Sequence, residues 1–269
     1  MAARALLLSA ALVVCAAAGQ TPAPDAAAQE AIVSRIRKAA LEYGDRLQNF
    51  TCTQITARST GPSATGPRWK PLETQELELN YLDHREHYKL LKVNGKTTDL
   101  QKRIKPGYMK SYNQFGSRLQ NIFDPKANAT FEWDHAEAGS GGGTCVFRYR
   151  VPQPTSTIVI TAGPDKVQPG HHGVVWANCE SGAVTHFLTE TDPAEVVRKG
   201  RRVALEYRLE VRYSLATIGS LEFLLAQSAV DTALFYKTWT RTEIQFRQYR
   251  KYDASSAIRF DEEEVGPGR

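Results

Sequence analysis

Six histidines, four cysteines and a scatter of carboxylates are the groups in this chain that could carry chemistry. His84 and His87 stand three apart across an expected turn and strand start, where side chains alternate faces, so they need not converge. His171 and His172 are adjacent in an expected loop over 163–172, His135 opens another loop, and His186 sits in an expected strand. A zinc site built on any such pair needs a third ligand, and the spacing supplies none. No metal or other cofactor is expected. Glu76, Glu78, Glu206 and Glu210 fall on the polar side of alternating segments, where a solvated face is the expectation. The serines lie mostly in turns, and Gly173, Gly182 and Gly219 lack the strand-turn-helix setting of a nucleophile elbow. The protein is therefore read as a non-enzyme; a hydrolase hidden in the long loops would have to run through His171 or His172.

The cysteines are dispersed, with no Cys or His at ligand spacing. If Cys15 is lost with a leader, Cys52, Cys145 and Cys179 remain, so at most one internal pair can form in an oxidising compartment. A simple meander from Cys145 through one returning strand to Cys179 would leave those two roughly 20 Å apart at about 3.3 Å per residue. That order forbids the Cys145–Cys179 bond, leaves Cys52 with either partner open, and fails only if the strands do not follow a meander.

The elements that must position these groups follow from the bulk pattern. With 269 residues, 42% hydrophobic and 23% charged, the chain has the balance of a globular protein, large enough for a core without staples. Residues 1–19 read as a secretory signal peptide: Arg4, an apolar run from Ala5 to Val14, then small residues to Gly19. A membrane span needs about 20 apolar residues, which this run does not reach. Leu12, Val13 and Val14 before Cys15 approach a bacterial lipobox, but Val14 is bulky for it, so lipid anchoring at Cys15 is not expected. The protein is expected to be exported, periplasmic or in the cell envelope, with a net charge of about +4 after loss of Arg4. Basic stretches at Lys102, Arg103 and Lys105, at Arg198, Lys199, Arg201 and Arg202, and from Arg247 to Lys251 could meet anionic groups. Nucleic acid is disfavoured by export; peripheral membrane contact is not.

A Pro-containing linker over 20–28 precedes a 3.6-residue period carried by Ile32, Ile36, Ala39, Ala40, Tyr43 and Leu47, which predicts an amphipathic helix over 31–46. From Asn49 the period becomes two. In 203–213 the residues Val203, Leu205, Tyr207, Leu209, Val211 and Tyr213 alternate with polar ones, the clearest strand. Further strands are expected near 50–58, 73–81, 87–93, 129–133, 145–151, 157–162, 173–177, 183–190, 221–230 and 239–249. Short turns such as Asn94-Gly95 make antiparallel pairing natural. A short second helix is expected over 112–123, ending before Asp124-Pro125. The fold class is α+β, mainly antiparallel β: a curved sheet or half-barrel of about ten to eleven strands over 29–260, packed on the two helices, with an acidic tail over 261–269. A closed barrel would leave the N-terminal helix outside.

The order of helix, LQNFTCTQITAR, YLDHREHYKLLKVNGK, FGSRLQNIFDPKANATFEWD, VFRYRV, GVVWANCESGAVTHF and TEIQFRQYRKYDASSAIRFD resembles a group of exported, chiefly acidobacterial proteins of unassigned function. That group is similar in layout to LolA/LolB-like lipoprotein carriers, and the resemblance implies a curved antiparallel sheet around helices with an apolar cavity for acyl chains. It implies a lipid or lipoprotein ligand and transfers no site residue.

Leu77, Leu79 and Tyr81, with Leu205, Tyr207, Leu209, Val211 and Tyr213, are the candidate cavity lining, and equally an ordinary filled core. Arg198, Lys199, Arg201 and Arg202 are candidates for an anionic group. The expected function is non-catalytic binding of an apolar or amphiphilic ligand in the envelope. The alternative is an envelope interaction module with a solid core that meets a protein partner.

Overall fold

The structure, a computed structural model, describes residues 23–64, 66, 68–97, 117–139, 142–162, 164–235 and 237–253. The leader with Arg4 and Cys15, the basic stretch at 102–105, residues 112–116 of the expected second helix and the tail over 261–269 lie outside the described residues.

The Asp25 carboxylate accepts the amide of Ala28 at 2.8 Å and starts helix α1 (Ala26–Leu41). Its apolar stripe buries Ile32, Val33, Ile36 and Ala40. A one-turn helix α2 (Tyr43–Arg46) follows. The helix thus begins five residues earlier than the apolar period suggested, because capping and small alanines extend it beyond the face that packs. Then come β1 (Phe50–Gly61), β2 (Lys70–Leu82), β3 (Arg85–Val93) and β4 (Lys96–Thr97). Helix α3 (Ser117–Phe123) stops where Asp124 caps a 3-10 turn at Pro125. The second run is β5 (Thr130–Glu137), β6 (Thr144–Val151), β7 (Ile160–Ala162), β8 (Asp165–Val167), β9 (His171–Asn178) and β10 (Val184–Thr191). It closes with β11 (Ala194–Arg198), β12 (Arg201–Ile218), β13 (Leu221–Phe235) and β14 (Thr238–Lys251).

Twelve of these strands form one curved, unclosed antiparallel sheet in the order β4-β3-β2-β1-β14-β13-β12-β10-β9-β6-β5, with β11 pairing β12. The first and last strands of the chain meet in its middle, and the segment bearing α3 connects one edge to the other. Two-residue turns with both residues at positive φ, Asp83-His84, Asn94-Gly95 and Lys199-Gly200, close three of the hairpins. Residues Ile36 of α1 and Leu119, Ile122 and Phe123 of α3 join Phe50, Leu79, Phe147, Phe187, Val211 and Ile244 in one core, so the helices fill one face of the sheet. A smaller cluster of Ile160, Val196, Val203 and Leu205 lies where β7 packs on β11 and β12.

Three sequence expectations are corrected. Strands β7 and β8 pair only with each other, so the chain leaves the sheet after β6 and returns as β9 directly beside it, with Cys145 opposite Ala177. The start of β6 and the end of β9 therefore meet. Cys145 and Cys179 form a disulfide with Cα atoms 5.1 Å apart, the bond that a meander would forbid. His171 and His172 lie at the start of β9 and not in a loop, because the two prolines before them belong to the excursion. Strand β13 continues to Phe235, past the expected end at Val230.

Candidate functional site

The strand β12 is 18 residues long, and β10 pairs only its stretch from Arg208 to Arg212. Its first half pairs with β11 on one side and β13 on the other, and the β7–β8 excursion packs over its inner face. A cavity of about 360 Å³ remains between them, lined by residues Thr157 to Thr161, Tyr207, Asp231, Ala233, Phe235 and, from α3, Arg118. Ile158, Val159, Ile160 and Phe235 supply an apolar wall; Arg118 and Asp231 bring opposite charges. Asp231 is 2% exposed and stands between Ala229 and Ala233 on the inward parity of β13, in register with Leu209. Burial pushes the Tyr207 phenol upwards, Arg118 pulls it down and Asp231 raises it, so both charges act on the same ring.

A water-sized pocket of about 10 Å³ adjoins this cavity and shares Arg118, Ile158 and Tyr207 with it. It is also lined by Asn121, Phe187, Thr189, Leu209 and His171. The His171 ring is fully buried, and its Nδ1 lies 3.0 Å from Ser156 Oγ. Ser156 Oγ accepts the amide of Ile158 at 3.3 Å and can donate its own proton to Nδ1, the arrangement in which the ring proton sits on Nε2. That Nε2 is buried and has no hydrogen-bond partner among the described residues. Desolvation lowers His171 to about 4, with Asp192 raising it and His172 lowering it, so the ring is neutral near pH 7. Ser156 lines neither pocket; it orients the imidazole and does not face the cavity.

Gly173, two residues on, is required by a close approach. A Cβ there would lie 1.8 Å from the Leu188 carbonyl oxygen and 3.0 Å from the Tyr149 ring. The bare backbone lets Tyr149 lie across β9 and reach Thr189 Oγ1 at 2.6 Å, closing the wall behind the small pocket.

A groove of about 300 Å³ on the outer face, lined by Arg148, Arg150, His172 and Glu190 among others, has a different character. Its charges are paired with neighbours outside the lining: Arg150 with Asp192 at 3.0 Å, His172 with Asp192 at 3.2 Å, and Glu190 with Arg208 at 2.8 Å. Among the described residues no group of three or more His, Cys, Asp or Glu side chains is placed to hold a metal ion.

Of the eight candidate lining residues, Tyr207 and Leu209 border the two cavities. Leu79, Tyr81, Val211 and Tyr213 pack in the main core, Leu205 is buried in the smaller cluster, and Leu77 is half-buried on β2. Tyr81 stacks on Phe50 and donates its hydroxyl to the Gly44 carbonyl, and Tyr43 donates to Leu224 at 2.9 Å, so these phenols fasten the helices to the sheet. Arg198 pairs with Asp165 at 3.0 Å and Arg202 with Glu195 at 3.4 Å; Lys199 occupies the hairpin turn and Arg201 is exposed. Arg118, His171 and Asp231 escaped the sequence reading as cavity residues. Only Asp231 left a trace, as a carboxylate on the parity of Ala229 and Ala233.

No protein-family model matches the chain, and no curated protein matches it. Among solved structures it is similar to a LolA superfamily protein from Nitrosomonas europaea, at 10% identity over 85% of this chain and 96% of that one, with a TM-score of 0.31. It is similar to a putative outer membrane lipoprotein-sorting protein domain from Vibrio parahaemolyticus at 11% identity, 86% and 97% coverage and a TM-score of 0.34. A DUF1329 family protein from Desulfovibrio piger gives 9% identity, 84% and 93% coverage and a TM-score of 0.35. The fold assignment rests on this chain's own strand order.

Proposed function

We propose that the protein is an exported, non-catalytic binding protein for an apolar or amphiphilic ligand, a lipid or an acylated protein, in the cell envelope. The cavity between the β7 excursion and strands β12 and β13 carries this reading. Its volume of about 360 Å³ falls in the range of small-molecule sites, roughly 300 to 1,000 Å³. An aliphatic wall together with a few charged and hydroxyl groups is the lining that an amphiphile needs, with the tail desolvated and the head satisfied. Tyr207 and Leu209 contact the ligand in this reading, and the other sequence candidates hold the sheet that frames it.

Native mass spectrometry of the protein purified from its own envelope, followed by organic extraction, tests the proposal. A defined lipid adduct is the expected result. A clean apo mass together with no uptake of a fluorescent fatty acid would refute it and favour a protein-interaction role.

A further inference from the structure

Resting on that reading, we propose that the inner end of the cavity is a head-group seat for a long-chain carboxylate, held by Arg118 and by the Nε2–H of His171. The fully buried imidazole nitrogen Nε2 of His171 has no partner among the described residues, which is costly, and in the Nε2–H tautomer such an atom beside a cavity calls for an oxygen. The void of about 10 Å³ is the size of one water or one ligand oxygen.

The order of charges selects the sign of the head. His171 and Arg118 line the small pocket, whereas Asp231 lines only the larger cavity. An oxyanion is therefore favoured at the pocket, whose lining holds both the Arg118 cation and the His171 ring, and disfavoured nearer Asp231. The proposed seat includes the tautomer: Ser156 donates its hydroxyl proton to Nδ1, and the imidazole then presents its Nε2 proton and not a lone pair. The chain of the ligand then runs outward along Ile158, Val159 and Phe235, the last of which faces the same cavity.

Dodecanoate, dodecanol and dodecyl phosphate, titrated calorimetrically into the purified protein, test this assignment. Dodecanoate should bind about tenfold or more tightly than dodecanol, the scale of one charge-assisted hydrogen bond. Arg118→Met, at a half-buried position, and His171→Asn, which keeps the Ser156 contact but lacks a donor at Nε2, should each abolish that preference, the affinity for dodecanoate falling to that for dodecanol in the same variant. His171→Gln, whose amide nitrogen reaches near Nε2, should retain most of it. In ¹⁵N spectra the His171 Nε2 resonance should move on addition of dodecanoate. Equal affinity for dodecanoate and dodecanol, or an Arg118→Met variant that keeps the preference, overturns the head-group seat and leaves the cavity reading standing. Tighter binding of dodecyl phosphate overturns the carboxylate assignment. Failure of every amphiphile to bind overturns the cavity reading itself.

Discussion

The Cys145–Cys179 bond should contribute heavily to stability, and the amount follows from its place in the chain. It closes a span of 34 residues that includes the whole β7–β8 excursion. The chain-entropy relation gives about 4 kcal/mol at 25 °C for a loop of that length. At roughly 2–4 °C per kcal/mol for a domain of 150–250 residues, the thermal midpoint should fall by about 8–16 °C when the bond is opened. Reduction of the wild-type protein is the cleaner perturbation, because it keeps both side chains; the C145A/C179A variant adds the loss of one buried and one half-buried sulfur. Urea unfolding followed by far-ultraviolet circular dichroism measures the change, and thiol titration in denaturant without reductant accompanies it. Apart from Cys15, that titration should find one thiol, Cys52, which is buried and whose thiol burial pushes up to about 12. Oxidised and reduced protein unfolding within about 1 kcal/mol of each other, or Cys145 and Cys179 reacting before reduction, would refute the reasoning.

Acid should destabilise the fold through His171. Its folded value of about 4 lies below the unfolded value near 6.5, so between these pH values the unfolded chain binds more protons. Stability should fall by up to about 3 kcal/mol as pH drops from 6.5 to 4, with no contribution from this group to the slope above that window. Urea midpoints at pH 7.5 and 4.5 check it, and an equal fall in His171→Asn would exclude His171 as the cause. Gly173→Ala should cost at least about 3 kcal/mol, because its Cβ meets the Leu188 carbonyl oxygen and not a movable side chain. Recovery of soluble Gly173→Ala with an unchanged denaturation midpoint would show that β9 can shift away from β10.

The helix, the alternation and the turns were legible in the sequence because each depends on neighbours a few residues apart. Ile32, Ile36 and Ala40 mark the buried stripe of α1, and Asn94-Gly95 marks a primed turn, without reference to anything distant. The sheet register was not legible. Whether the segment over 157–162 joins β6 or leaves it depends on where its few apolar residues find a partner, and Ile160 finds Val196, Val203 and Leu205 across the molecule. Arg118 was hidden for the same reason: on a seven-residue helix an arginine reads as solvent-facing until the elements around it are placed. The apolar stripe from Val203 to Tyr213 was recognised, but only the packing assigns Leu205 to one cluster, Val211 to another and Tyr207 to the cavity between.

One departure from a meander accounts for both the disulfide and the cavity. The excursion between Val151 and His171 brings β9 back beside β6, and it also supplies the aliphatic roof over β12 and β13. The bond pins the pair at Cys145, and Val151 faces His171 at the opposite end, where the roof departs and returns. Side chains alternate along β9, with His171 buried and His172 turned to the outer groove. A one-residue slip of β9 would exchange them, sending His172 with its Asp192 and Glu190 contacts towards the core and taking His171 from Ser156. Gly173 forbids the same slip from the β10 side, since any residue with a Cβ placed there would strike Leu188. The disulfide and the glycine thus act on the same register, and that register turns the His171 ring towards the cavity.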